Sequence, residues 1–374
     1  MKRSGIATLK LHGGAAPWWL LKRMKPLAKC IFAVIADEFG PDIILKRLAD
    51  PIWFQALSMV LGFDWNSSGT TTTTTGVLKS ILNFEEHGVQ CCGGKGRNSR
   101  NTPYELRDLG HSPLFDGPTE KLIYASKMTA KIDNTAIQDG YQLYHHCIFV
   151  SVKNNWTVVQ QGMNLQARLT RRYHWHSEGL KSFVVEPPEN IIGEFVHDDV
   201  LNMTAIQSEE TRKASVDLAK EDPKKIINQY KLLTSYSKTS LLRWIQPTGL
   251  KIPVVHYKLL PRRMNWETIR RIYEFQPRDY EELLAIKGVG PATVRGLALI
   301  AELIYNAVPS WKDPVKFSFA YGGKDGVPFP VDRKAMDSSI QILRIALDEA
   351  KLGNKQKLNA LRRLKKFSEK MKIF

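Results

Sequence analysis

The stretch YQLYHHCIFVSVKNNWTVVQQGMNLQARLTRRYHWHSEGLKSFVVE, residues 141–186, decides the fold, because here helical spacing gives way to short extended runs. Runs rich in β-branched and aromatic residues at 146–152, 156–161, 172–176 and 182–186 are split by Asn154-Asn155, Gly162 and Gly179. That pattern predicts a small antiparallel sheet. Upstream, Leu20, Leu21, Met24, Leu27, Ile31 and Ile35 recur at spacings of three and four, and Asp50-Pro51 opens a second apolar stretch, so 17–63 reads as helical. Downstream, helical spacing returns near Val200 and runs to the C-terminus. The predicted fold class is α+β: a helical N-terminal region (1–118), a small antiparallel sheet in the middle (119–198) and a helical C-terminal region (199–374).

Two segments before the sheet admit more than one reading. Ser67-Ser68-Gly69 leads into six threonines, Thr70 to Thr75. Their β-branching suits a strand, and their hydroxyls suit a helix N-terminus facing a phosphate, the reading preferred here. Residues 87–118 are rich in Gly, Asn, Arg and Pro without an apolar period and read as a basic loop, in which Lys95 and Arg97 suit phosphate contact or simply solvate a connection. The glycine spacing is not that of a nucleotide-binding P-loop, which excludes an ATPase. His87, Cys91, Cys92 and His111 are metal-ligand types, but adjacent thiolates are poorly shaped to chelate one ion.

Composition narrows the partner. The 374 residues carry 54 Lys+Arg against 37 Asp+Glu, a formal charge of +17, which attracts polyanions. The alternative source of such charge is a thermophile's surface. The first 36 residues hold Lys2, Arg3, Lys10, Lys22, Arg23, Lys25 and Lys29 with no acid, and 351–374 holds nine cations against Glu369 alone, a distribution suited to an extended contact. The best apolar run, 30–36, is closed by Asp37 and Glu38, too short for a bilayer, and no signal-peptide pattern opens the chain. Four cysteines build no disulfide framework. A reduced, cytoplasmic setting without membrane contact is expected.

The sharpest local motif lies at 280–305. Tyr280 to Ile286 is a helix candidate, Lys287-Gly288-Val289-Gly290 breaks it, and Pro291 opens a second helix whose stripe is Val294, Leu297, Ala298, Ala301 and Ile304. Glycines at 288 and 290 permit positive φ and leave the backbone bare, while Pro291 suits the first helical position. The amides at the turn can then point at a phosphate oxygen, with Lys287, Thr293 and Arg295 close by. The plainer reading is an αα-hairpin with a glycine cap. Leu-x-x-x-Lys-Gly-Val-Gly-Pro-x-Thr resembles the helix-hairpin-helix module of DNA repair and recombination proteins, which implies contact with the DNA backbone through Lys287, Gly288, Val289 and Gly290. Such contacts read no sequence.

A wider resemblance rests on Leu11-His12-Gly13-Gly14, Leu61-Gly62-Phe63-Asp64-Trp65, 139–146 (DGYQLYHH), 160–164 (QQGMN), 172–175 (RYHW) and 322–326 (GGKDG). By these the chain resembles the family called domain of unknown function 763, of archaea and thermophilic bacteria, a likeness that implies kinship and no mechanism.

For chemistry, the sheet offers His145, His146, His174 and His176 with Asp133, Asp139 and Glu178. His174 and His176 share one strand face, and His145 and His146 point to opposite faces. Such a cluster can hold a divalent metal, Mg²⁺ or Mn²⁺, against a phosphodiester, or supply metal-free acid–base catalysis. Its alternative is a polar-aromatic surface in which Arg171, Arg172, Tyr173 and Trp175 stack on unpaired bases. Pro330-Val331-Asp332 resembles the catalytic context of helix-hairpin-helix glycosylases, implying an Asp332 that stabilises an oxocarbenium-like sugar. Against it, Ala292 replaces the Schiff-base lysine, and Asp332 equally suits an N-cap. The expected function is DNA processing or repair, as a nuclease of the sheet cluster. A glycosylase using Asp332 and a non-catalytic DNA or RNA binder are the alternatives, and single strands and RNA fit the same charge.

Overall fold

The computed structural model describes residues 6–10, 16–63, 67–185, 197–239, 260–314, 333–350 and 352–372. After β1 (Ile6–Lys10), the apolar spacing of 17–63 becomes α1 (Trp18–Phe39), α2 (Pro41–Ala49) and α3 (Pro51–Val60). Pro41 and Pro51 stand in first helical turns, and the Asp50 carboxylate caps α3 by accepting from the amides of Ile52 (2.8 Å) and Trp53 (3.3 Å). The threonine run lies in α4 (Ser68–Ile81), a helix whose first residues pack into the interior. Ser67, Ser68, Thr70, Thr71, Thr74 and Thr75 are buried, and Thr74 bonds Ser58 at 2.7 Å while Thr71 donates to Gln161.

The loop expected at 87–118 holds regular structure. After α5 (Phe84–His87) come β2 (Val89–Lys95), α6 (Arg97–Arg100) and α7 (Thr102–Leu109), before α8 (Thr119–Lys131). The glycines that suggested a loop serve close packing: a Cβ on Gly93, whose φ is +101°, would stand 2.2 Å from the His146 carbonyl oxygen. Cys91 and Cys92 face opposite sides of the strand and join different core clusters.

α8 ends in a π-turn (Ile132–Ala136), then β3 (Ile137–Gln138), β4 (Gln142–Ser151), β5 (Trp156–Asn164), β6 (Leu169–His176) and β7 (Leu201–Asn202) follow. The main sheet runs β1-β6-β5-β4-β2 with antiparallel pairing throughout. Three of the four expected strands are there. Residues 182–185 instead pack as a loop, with Phe183 stacked on Trp156 (centroids 6.1 Å apart), and Glu186 lies outside the described residues. Both edge strands, β1 and β2, escaped the sequence reading.

The chain continues through α9 (Glu209–Ala219), α10 (Pro223–Thr239), α11 (Trp266–Phe275), α12 (Tyr280–Ala285), α13 (Pro291–Tyr305), α14 (Arg333–Glu349) and α15 (Asn354–Lys372). Cys91, Cys147, Phe149 and Val159 on one sheet face join a core with α1 to α4, α14 and α15. Cys92, Ile148, Val158 and Trp175 on the other join a core with α7 to α13. A sheet covered on both faces buries consecutive residues, which is why Cys147-Ile148-Phe149-Val150 is a continuous apolar run. Among the described residues no helix is long and apolar enough to cross a membrane.

Candidate functional site

The turn between α12 and α13 is built so that its amides face outward. Arg271 on α11 donates to the Lys287 carbonyl oxygen at 2.8 Å, and Lys131 at the end of α8 donates to the Val289 carbonyl. Across a trans peptide the N–H points opposite to the C=O, so the amides of Gly288 and Gly290 are directed away from those two cations. No side chain caps α13, and Lys287, Gly288, Pro291 and Ala292 are exposed. Gly288 has φ +98°, as expected, but Gly290 sits at φ −139°, extended backbone that any residue adopts. Val289 and Thr293 are buried and support the turn, and Ile304, assigned to the apolar stripe, is 37 % exposed. Arg295 donates to Gln138 Oε1 at 2.7 Å and, with Pro291, Ala292 and Tyr141, lines a cavity of about 610 Å³ in which it is the only charged lining residue among those described.

The sheet residues divide between the two faces. His174 is fully engaged: its Nδ1 donates to the Leu48 carbonyl (2.8 Å), its Nε2 accepts from Arg172 Nε (2.8 Å), and burial holds its pKa well below the usual imidazole value. No lone pair remains for a metal. His176 bonds Thr157 (2.9 Å) and lies 3.5 Å from Glu178. Arg171 and Arg172 are fully buried. Arg171 bridges Asp139 (2.8 Å) and Asp313 (2.5 Å), while Arg172, its pKa pushed down to about 9 by burial, donates to Gln55 (3.1 Å) over the Phe54 ring. Tyr173 and Trp175 are buried too, donating to Asp139 (2.8 Å) and Asp133 (2.7 Å). These rings and guanidiniums are therefore committed to the interior rather than offered to a base. Asp332 lies outside the described residues, which contain no group of three His, Cys, Asp or Glu placed to hold a metal.

One connected network joins Asp133, His146 and Trp175 of the expected set and gains two members, Gln160 and Ser126. Trp175 Nε1 and Gln160 Nε2 both donate to Asp133 Oδ2, and Gln160 Nε2 also donates to the Thr129 carbonyl at 3.0 Å. Because that carbonyl can only accept, the amide orientation of Gln160 is fixed and its Oε1 must accept from His146 Nδ1 (2.8 Å). His146 Nε2 then accepts from the Ser126 hydroxyl at 2.8 Å. Burial keeps His146 below the usual imidazole pKa and raises Asp133 to about 7. The sequence reading missed Ser126. Gln160 was the available signal, since a glutamine amid apolar strand residues must find buried partners.

Helices α1 and α15 share a basic cavity. Exposed Trp19 and Arg23 on α1 and Arg362, Arg363 and Lys366 on α15 line a volume of about 850 Å³ with no carboxylate among the described lining residues. Lys95 and Arg97 are exposed, with Lys95 over the Tyr144 ring at 5.9 Å.

A family model described as protein of unknown function (DUF763) matches residues 5–331. No curated protein and no solved structure matches the chain significantly.

Proposed function

Since the chain belongs to the DUF763 family, which brings no assigned activity, we propose its function from its own geometry: it binds nucleic acid, gripping the DNA backbone with a helix-hairpin-helix module formed by α12, α13 and their turn. The observation that carries this reading is the outward direction of the Gly288 and Gly290 amides, imposed by cations that pin the carbonyls of Lys287 and Val289. Uncapped amides at the start of α13, with exposed Lys287 beside them, suit an anion. The basic groove between α1 and α15 supports a second, extended contact in which Trp19 is available for stacking on unpaired bases.

DNA processing is the role this binding serves. The metal-dependent nuclease reading finds no donor set among the described residues, and nothing described bears on a glycosylase centred on Asp332. The test is fluorescence anisotropy with labelled single-stranded DNA, duplex DNA and RNA across a salt series. DNA affinity should fall linearly with salt on a log–log scale, steeply if several phosphates are neutralised. Absence of binding to DNA and RNA at low ionic strength refutes the proposal.

A further inference from the structure

A third cavity, of about 230 Å³, lies at the same end of the sheet as the hairpin cavity: Gln142 of β4 lines the hairpin cavity, and the next residue, Leu143, lines this one. Its wall includes Ser126, His146, His145 and Tyr144, with exposed Arg100 and Lys127, and no carboxylate among the described residues. We propose that this is a phosphodiester-cleaving site in which Ser126 is the nucleophile and His146 its general base. The choice of a polynucleotide as substrate rests on the nucleic-acid reading above, while the serine–histidine chemistry rests on this cavity alone.

The hydrogen-bond order selects the roles. Gln160 makes His146 Nδ1 the protonated nitrogen, so Nε2 presents a lone pair to the Ser126 hydroxyl 2.8 Å away. Asp133 acts one step further back: with Trp175 it holds Gln160, and is a positioning residue. Burial keeps the imidazole neutral and able to accept a proton.

His145 projects from the opposite strand face, where its Nε2 lies 2.9 Å from the Thr75 hydroxyl and 3.5 Å from Cys147 Sγ.

The reaction balances with water as co-reactant. Ser126 Oγ attacks phosphorus as His146 Nε2 takes its proton. The bond from phosphorus to one ester oxygen breaks, and that oxygen leaves as an alcohol carrying the proton back from the imidazolium. The product is a phosphodiester between Ser126 and the remaining nucleoside. Water then attacks phosphorus, giving its proton to His146, and Ser126 Oγ leaves and is reprotonated. The net change is diester plus water to monoester plus alcohol. Arg100 and Lys127 supply positive charge for the phosphoryl oxygens, the arrangement that phosphoryl transfer demands.

The test uses the full chain with bis(4-nitrophenyl) phosphate, a small diester that needs no hairpin, and follows 4-nitrophenolate release and intact mass. Wild type should turn over and carry a 4-nitrophenyl phosphate adduct on the peptide containing Ser126. Ser126→Ala should lose the adduct and at least about a hundredfold in rate, with an unchanged melting curve certifying its fold. Lys127→Ala, on the exposed rim, should raise KM and leave the adduct site unchanged. The rate should climb with pH below the ordinary imidazole range and level off above it. No turnover and no adduct in wild type, or a Ser126→Ala protein as active as wild type, overturns the proposal. DNA anisotropy on the same samples separates the two claims. Binding without turnover sinks Ser126 and spares the hairpin, whereas turnover without DNA binding does the reverse.

Discussion

Alanine at the two hairpin glycines separates folding from binding. At Gly288 a Cβ would stand 2.7 Å from Thr268 Oγ1 and 3.3 Å from Arg271 Nη1, on backbone with φ +98° that side chains rarely adopt. Gly288→Ala should therefore cost about 1–3 kcal/mol of stability. At Gly290 the backbone is extended and, among the described residues, the nearest atom to a new Cβ is the Gly288 oxygen, 3.9 Å away. Gly290→Ala should change stability by no more than about 0.5 kcal/mol. Its methyl nevertheless stands at the mouth of the amide nest. If it displaces one charge-assisted hydrogen bond to phosphate, worth roughly 1.5–3 kcal/mol, affinity drops by about ten- to a hundredfold. Thermal melts and anisotropy on both variants give the four numbers needed. A Gly290→Ala protein that binds DNA as tightly as wild type refutes the reasoning, because it removes the bare backbone from the interaction without disturbing the fold.

Further expectations follow from the buried charges and the terminal groove. Burial raises Asp133 to about 7, so the folded state takes up a proton that the unfolded chain does not bind above about pH 4, and the resulting stabilisation is lost as pH rises towards 7. In Asp133→Asn that loss should vanish, so that its unfolding free energy gains on wild type by roughly 3–5 kcal/mol between pH 4 and 7; parallel denaturation curves for the two proteins would contradict it. The lowered histidines, among them His146, His174 and His176, act in the other direction, costing stability as pH falls below the ordinary imidazole value, and they do so equally in both proteins. Arg171→Met leaves Asp139 and Asp313 buried without the cation between them, which should cost about 3–5 kcal/mol in urea denaturation; a loss under about 1 kcal/mol would mean the pair is neutralised in another way. Trp19→Ala should weaken single-stranded DNA by about 1–3 kcal/mol and duplex much less, and equal effects on both would deny a stacking role to this exposed ring.

Much of this architecture was legible before any coordinates. The three- and four-residue spacing of α1 and the prolines of α2 and α3 report local helix chemistry, and the turn at Gly288 needs only its own neighbours. The sheet edges were not legible, for physical reasons. β2 owes its place to pairing with β4, and its Gly93 reads as a breaker until the His146 carbonyl is seen against it. Likewise, spacing correctly assigned His145 and His146 to opposite faces but gave no sign that Arg171 and Arg172 would be sealed under helices, since charge in a strand ordinarily marks a solvated face. Ser126 lies on the buried side of an amphipathic helix, and its partner belongs to a strand 20 residues on, so only tertiary packing reveals the pair.

The central claim concerns particular amides, and hydrogen exchange on the full chain reads them directly. On titration with DNA, exchange at Gly288, Gly290, Ala292 and Thr293 should slow in proportion to occupancy, and high salt should restore it. Unchanged exchange across the turn while DNA is demonstrably bound would place the grip elsewhere on the protein and contradict the account.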